Sequence, residues 1–397
     1  MRHVFWTSLA LVFYTYAVYP CIILVLASVH QIVRDLKFAF CRTERRSRIP
    51  DGLPSVSLIF SAFNEEALIE EKMSNCAALR YPAAQLEVLA GCDGCTDDTA
   101  ALARQVGMPN ARILDYPVRR GKALVVNQLV NEARGSIVIF SDANTMLAPD
   151  ALLRMVRHFQ NPSVGCVCGE LMLQPSANGN RTEGVYWRYE VFLKFLESRL
   201  NMLVGANGGL FAIRRSLFSP IPLHGIIDDF LVSMGVRQKG YRLVYDPEAT
   251  ATEQSAITVR DEFCRRVRIG AGNFHALRYT WRLLSPTAGL VSLAYWSHKV
   301  LRWLVPFALL LAFFSAMTLA GQLFYACAAI AAVILCAMAL VGYYLERGRI
   351  RSRLFAIPYY FLSMNLALAL GLLRCLSGKQ MLAWTRTPRE TAVGASQ

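Results

Sequence analysis

Residues 137–145 read Ile137-Val138-Ile139-Phe140-Ser141-Asp142-Ala143-Asn144-Thr145. Four bulky apolar residues followed at once by short polar ones predict a strand buried on both faces, with Asp142 and Asn144 at its carboxyl end. An Asp-x-Asn pair presents hard oxygen donors, which suits a hard divalent cation and, through it, a diphosphate. The same residues also favour a plain Asx-type turn.

The pattern recurs upstream, with helix-length stretches between the repeats. Residues 56–60 run into Ser61-Ala62-Phe63-Asn64-Glu65-Glu66, and residues 86–90 into Gly91-Cys92-Asp93-Gly94-Cys95-Thr96-Asp97-Asp98-Thr99. Residues 112–114 precede Arg119-Arg120-Gly121-Lys122, ahead of a helix predicted over 123–133. Alternating strands and helices predict an α/β domain with parallel strands, whose ligands sit beyond the strands' carboxyl ends. Ser61, Ala62, Asn64, Glu65 and Asp93 are placed there to receive a base and ribose, or else to cap helices. Lys122 and the free amides around it suit a diphosphate, or form a solvated basic turn. The Cys92-x-x-Cys95 spacing admits a redox or zinc reading, but neighbouring carboxylates raise thiol pKa and no second pair completes a zinc site.

Outside residues 50–284 the chain changes character. At 397 residues it is 54% hydrophobic with a net charge of +14, and its mean hydropathy is +0.33, above the range of soluble domains. Residues 4–33 are almost wholly apolar, longer than the roughly 20 needed to cross a bilayer. They predict an N-terminal anchor over 1–33 rather than a cleaved leader, because the basic block follows the apolar run. Residues 285–397 hold three more apolar runs, at 300–320, 323–345 and 354–376. Before them, Tyr295 and Trp296 beside His298, Lys299 and Arg302 predict a segment lying at the headgroup level.

The charge sits where a membrane reading needs it. Arg42, Arg45, Arg46 and Arg48, and again Arg347, Arg349, Arg351 and Arg353, abut apolar runs, as expected of cytoplasmic loops, and this argues against nucleic acid as partner. Three C-terminal crossings put the tail outside, whereas Arg374, Lys379, Arg386 and Arg389 put it inside; the two counts conflict. Eleven scattered cysteines, several within apolar runs, read as reduced thiols rather than a disulfide framework.

In order and spacing these motifs resemble the nucleotide-binding half of family-2 glycosyltransferases of the GT-A fold. The resemblance implies that Ser61, Ala62, Asn64, Glu65 and Asp93 hold the nucleoside. It assigns Asp142 and Asn144 to the metal, Mg2+ or Mn2+, with Asn144 standing where the family has a second Asp. Gly205-Ala206-Asn207-Gly208-Gly209 is similar to the family's acceptor-side glycine element, giving Gly208 and Gly209 to the acceptor. In His224-Gly225-Ile226-Ile227-Asp228-Asp229, Asp229 falls at the family's general base, with Asp228 beside it. Residues 264–274 stand in place of the Gln-x-x-Arg-Trp element of processive synthases. Arg268 matches the diphosphate-pairing Arg, while Arg265 and Ile269 replace the Gln and the Trp.

The expectation is therefore an inverting hexosyl- or N-acetylhexosaminyltransferase. It would use a nucleotide-sugar, with UDP favoured, on the cytoplasmic face of a bacterial inner membrane, and a membrane lipid or glycan acceptor. A processive exopolysaccharide synthase is the alternative. A non-catalytic nucleotide-sugar sensor or transport subunit is the reading of another class, and it would want the carboxylates lost; all are present. No Gly-x-Gly-x-x-Gly follows the first strand, which argues against a dinucleotide-dependent oxidoreductase.

Overall fold

The protein is described by a computed structural model, covering residues 1–42, 48–174, 181–223, 225–254, 259–348, 350 and 352–378. Arg45, Arg46, His224, Arg349, Arg351, Lys379, Arg386 and Arg389, singled out in the sequence, lie outside the described residues.

Helix α1, Arg2–Cys41, continues eight residues past the expected end of the anchor. Its turn Tyr14–Val18 widens to π geometry just before Pro20, whose missing N–H breaks the regular ladder. The α/β unit then runs β1 Val56–Ala62, α2 Glu66–Ala77, β2 Leu86–Asp93, α3 Thr99–Gln105, β3 Ala111–Tyr116, α4 Lys122–Glu132 and β4 Ile137–Ser141. It continues as β5 Thr145–Leu147, α5 Ala151–Val156, β6 Val164–Gln174, α6 Arg181–Arg199, β7 Leu210–Arg214, α7 Asp228–Gln238 and β8 Arg242–Gln254. All five residues of β4 are buried, as its unbroken apolar run requires.

The eight strands form one sheet in the order β3-β2-β1-β4-β7-β6-β8-β5. Strands β3, β2, β1 and β4 are parallel, as predicted. The other half corrects the all-parallel expectation: β7 is antiparallel to both β4 and β6, and β5 is antiparallel to β8. The reason is local. The chain enters β7 from the glycine loop at residues 205–209, level with the carboxyl end of β4, so β7 has to run back. Phe140 and Phe211 face each other in that register and stack with ring centroids 4.3 Å apart.

After the sheet come α8 Val259–Thr280, α9 Leu290–Thr318, α10 Leu323–Arg347 and α11 Arg353–Leu376. Helices α1, α9, α10 and α11 are long and apolar enough to cross a membrane. At the segment expected to lie at the headgroup level, several polar residues turn into the protein. Tyr295 and His298 are wholly buried and Arg302 nearly so. Tyr295 bonds Thr280, His298 bonds Glu197 and Arg302 bonds Glu190, so partners inside the protein claim these polar groups. Trp296 faces outward, as do Leu290 and Leu293 before it. Helices α8 and α11 cross at Gly270 and Gly371, so closely that a Cβ on Gly371 would stand 2.8 Å from the Ala271 nitrogen.

Candidate active site

The carboxyl ends of β1, β2 and β4 gather the polar loops at one sheet edge. After β1, Asn64 adopts a left-handed backbone, and its side chain exchanges hydrogen bonds with Thr96 after β2. Asp93, at the end of β2, is buried; one carboxylate oxygen accepts from the Arg120 amide at 2.6 Å and the other from the Gly121 amide at 2.9 Å. A Cβ on Gly94 would meet the Arg119 nitrogen at 2.4 Å, and its φ is +65°, so this loop requires glycine. Together these contacts fix the basic turn that opens α4.

Lys122, first residue of α4, places its ammonium 2.8 Å from Asp142 and 3.1 Å from Asp228. Burial alone would lower its pKa, but Asp142 and then Asp228 outweigh it and the net shift is upward. Asp229, beside Asp228 in the first turn of α7, is pushed up to about 6, first by burial and then by the Asp228 carboxylate, with Lys122 opposing. The carboxylates of Asp142 and Asp229 flank Gly208: a Cβ there would lie 3.4 Å from Asp229 Oδ2 and 3.7 Å from Asp142 Oδ2. With no side chain at 208, the gap is left for a ligand.

The Lys122, Asp142, Asp228 and Asp229 cluster faces one cavity of about 440 Å³. Ser61, Glu65, Lys122, Asp142, Asn144, Gly208, Gly209, Asp228, Asp229, Arg265 and Arg268 line it, and it continues to Tyr16, Arg302 and Asn365 on the apolar helices. Oxygen donors for a divalent cation are at hand in the Asp142 carboxylate and the Asn144 amide. Among the described residues the buried Asn144 nitrogen has no hydrogen-bond partner, which leaves the amide able to turn its oxygen to a cation. One carboxylate plus a neutral oxygen, completed by diphosphate and water, is a normal Mg2+-type donor set.

Residues 57–221 match Glycosyl transferase family 2. The chain carries a family 2 glycosyltransferase domain. Its relatives include the poly-β-1,6-N-acetyl-D-glucosamine synthase of Staphylococcus aureus (strain COL), 27% identical over 266 residues. The synthase of the same name from Staphylococcus epidermidis is 22% identical over 263 residues. The first match covers 64% of this chain and 64% of the relative, so the chain aligns with under two thirds of that protein's length. The solved structure of mannosyltransferase PcManGT from Pyrobaculum calidifontis, in complex with GDP-Man and Mn2+, superposes with a TM-score of 0.65. At 22% identity over 91% of this chain and 98% of that one, the likeness is one of fold, and the fold is GT-A.

Within the glycosyltransferase domain, three of the predicted site residues stand apart from the cavity. Ala62 is buried in the core, Asn64 ties the two nucleoside-side loops together, and Asp93 spends both oxygens on backbone amides. Asp93 is thus the strut of the Arg120–Lys122 turn. Arg265 lines the cavity yet pairs with Glu262 at 3.1 Å, as Arg266 pairs with the same carboxylate at 2.5 Å. Cys92 and Cys95 are free thiols.

Three charged residues near the site were not singled out in the sequence. Lys194 on α6 bonds the Asn207 amide at the head of the glycine loop. Glu190, one turn earlier, bonds Arg302 and Tyr186. Arg302, Lys299 and His298 hold its carboxyl well below the usual range, although burial alone would raise it. Lys72 of α2 lies beneath Asp142. The one available signal was spacing, since Tyr186, Glu190, Lys194 and Glu197 recur along one face of α6; alone, that spacing is equally that of a solvated face.

Proposed function

We propose that the chain is an inverting glycosyltransferase. It moves a hexose or N-acetylhexosamine from a nucleotide-sugar, UDP-sugar favoured, to a lipid or glycan acceptor at the cytoplasmic face of a bacterial inner membrane. The observation that carries this reading is the pair of carboxylates facing each other across Gly208 in a cavity that runs on to the apolar helices.

On this reading Ser61, Asn64, Glu65 and the Asp93-braced turn shape the nucleoside side, and Lys122 and Arg268 meet the diphosphate. Mg2+ or Mn2+ held by Asp142 and Asn144 would add neutralising charge to the leaving diphosphate; PcManGT was solved with Mn2+. The acceptor hydroxyl lies along Gly208 and Gly209, and Asp229 takes its proton as the oxygen bonds the anomeric carbon on the face opposite the nucleotide. A carboxylate raised to about 6 is the stronger base for that task. Asp228 keeps Lys122 in place.

The test is transfer from a panel of radiolabelled nucleotide-sugars by membranes carrying the chain, with lipid-soluble and polymeric product separated. The expected result is label in one fraction from a single donor, abolished by Asp229→Asn and by chelator, and restored by Mn2+ or Mg2+. Label in neither fraction overturns the reading in favour of a sensor. A second reading, processive exopolysaccharide synthesis, is favoured by the names of the staphylococcal relatives; long polymer from a purified preparation would select it.

A further inference from the structure

Lys72 is wholly buried in α2, a position a lysine side chain rarely occupies. Its ammonium donates to Ser141 Oγ at 2.8 Å and to the Thr145 carbonyl, and stands 5.4 Å from the centre of the Phe60 ring. Burial pushes its pKa down, the Asp142 charge opposes this, and among the described residues no carboxylate is in ion-pair contact with it. An unpaired buried charge costs several kcal/mol even after relaxation. An apolar side chain would fill the space more cheaply, so the fold itself does not call for a lysine here.

What the ammonium grips is the site. Ser141 and Thr145 are the residues on either side of Asp142-Ala143-Asn144, so Lys72 closes that turn from beneath. One helical turn on, Asn75 holds Leu147 through both its amide and its carbonyl, extending the grip along β5. Ser141 Oγ in turn donates a hydrogen bond to the Gly209 carbonyl at 3.1 Å. A relay therefore runs from one fixed cation through Ser141 to the loop carrying Gly208, between Asp142 and Asp229. Charge at its head strengthens each bond in it.

We propose that Lys72 is a positioning residue of the donor site: from beneath, it fixes the Asp142–Asn144 turn and the Gly208–Gly209 loop together, and with them the place of the diphosphate. The proposal rests on the glycosyltransferase reading above. It separates from a purely structural role because the two predict opposite pairings of stability and binding.

The test is Lys72→Met in purified full-length chain in detergent, with UDP and GDP, each with MnCl2, as calorimetric probes. The expected result is a melting temperature equal to or above the parent's, because a lone charge has left the core. Affinity for the nucleotide that the parent binds should fall about tenfold, the scale of one charge-assisted hydrogen bond. In turnover the donor KM should rise while the acceptor KM stays put. Ser141→Ala, which keeps the ammonium but cuts the relay, should weaken nucleotide binding in the same direction, and it carries the test if the Met variant does not fold. Parental nucleotide affinity in these variants overturns the role of Lys72 alone. A parent that binds neither nucleotide overturns the donor reading, and this proposal with it.

Discussion

At Asp229, function and stability pull in opposite directions. Its folded pKa, about 6 against an ordinary 3.8, means that the folded state binds the proton more tightly than the unfolded chain does. The favourable contribution is present below about pH 4 and is lost as pH rises through 6. At pH 7.5 the ionised group therefore strains the fold. Asp229→Asn should raise stability there by about 1–3 kcal/mol, with little gain at pH 4, while removing transfer. Melting curves at the two pH values, beside a transfer assay, check both halves. In the parent, the rate should fall as pH drops below about 6, because the protonated group accepts nothing. Asp93 gives the contrasting case. Asp93→Ala releases two buried amides, each facing a charge-assisted bond worth about 1.5–3 kcal/mol. A lowered melting temperature together with a weakened diphosphate site is the expected outcome, read by calorimetry with UDP or GDP.

Among the elements, the crossing of α8 and α11 carries most. Arg265 and Arg268 sit on α8, and α8 is held by a close approach that requires glycine at 371. Gly371→Val should push the helices apart at about 1–3 kcal/mol, the usual cost of overpacking. It should also raise the donor KM with little change in the acceptor KM, measured in steady state. Elements are also where the sequence speaks most and least clearly. Strands β1, β2 and β4 were legible because short apolar runs end in turn-forming residues, a local signal. The reversal at β7 was not, because strand direction depends on which edge a loop returns to. Tyr295 and His298 look interfacial by residue type; only Thr280 and Glu197, remote in the chain, decide that they are buried. Asp93 reads as a ligand group, and only the fold adds that it also holds the Arg120 and Gly121 amides.

For the molecule as a whole, the question is what ties the glycosyltransferase domain to the apolar helices. Glu197 accepts from Tyr19 of α1 and pairs with His298 of α9, while Glu190 pairs with Arg302 of α9, so two carboxylates of α6 clasp two such helices. Breaking one member of a buried pair strands the other. Glu190→Gln should cost about 3–5 kcal/mol, seen as a lower melting temperature in detergent. The cavity reaches Arg302, so this clasp also shapes the end of the cavity at the apolar helices, the side from which the proposed acceptor would arrive.

The β4 and β7 ladder has a consequence for time rather than shape. Ser141, which leads into Asp142, is hydrogen-bond register partner to Leu210, which follows Gly208 and Gly209, and their strands lie at the centre of the sheet. Amide protons there should exchange with deuterium only through global opening. The two half-sites then share one lifetime: a warmed sample should lose nucleotide binding and turnover at the same temperature, with no interval in which one outlives the other.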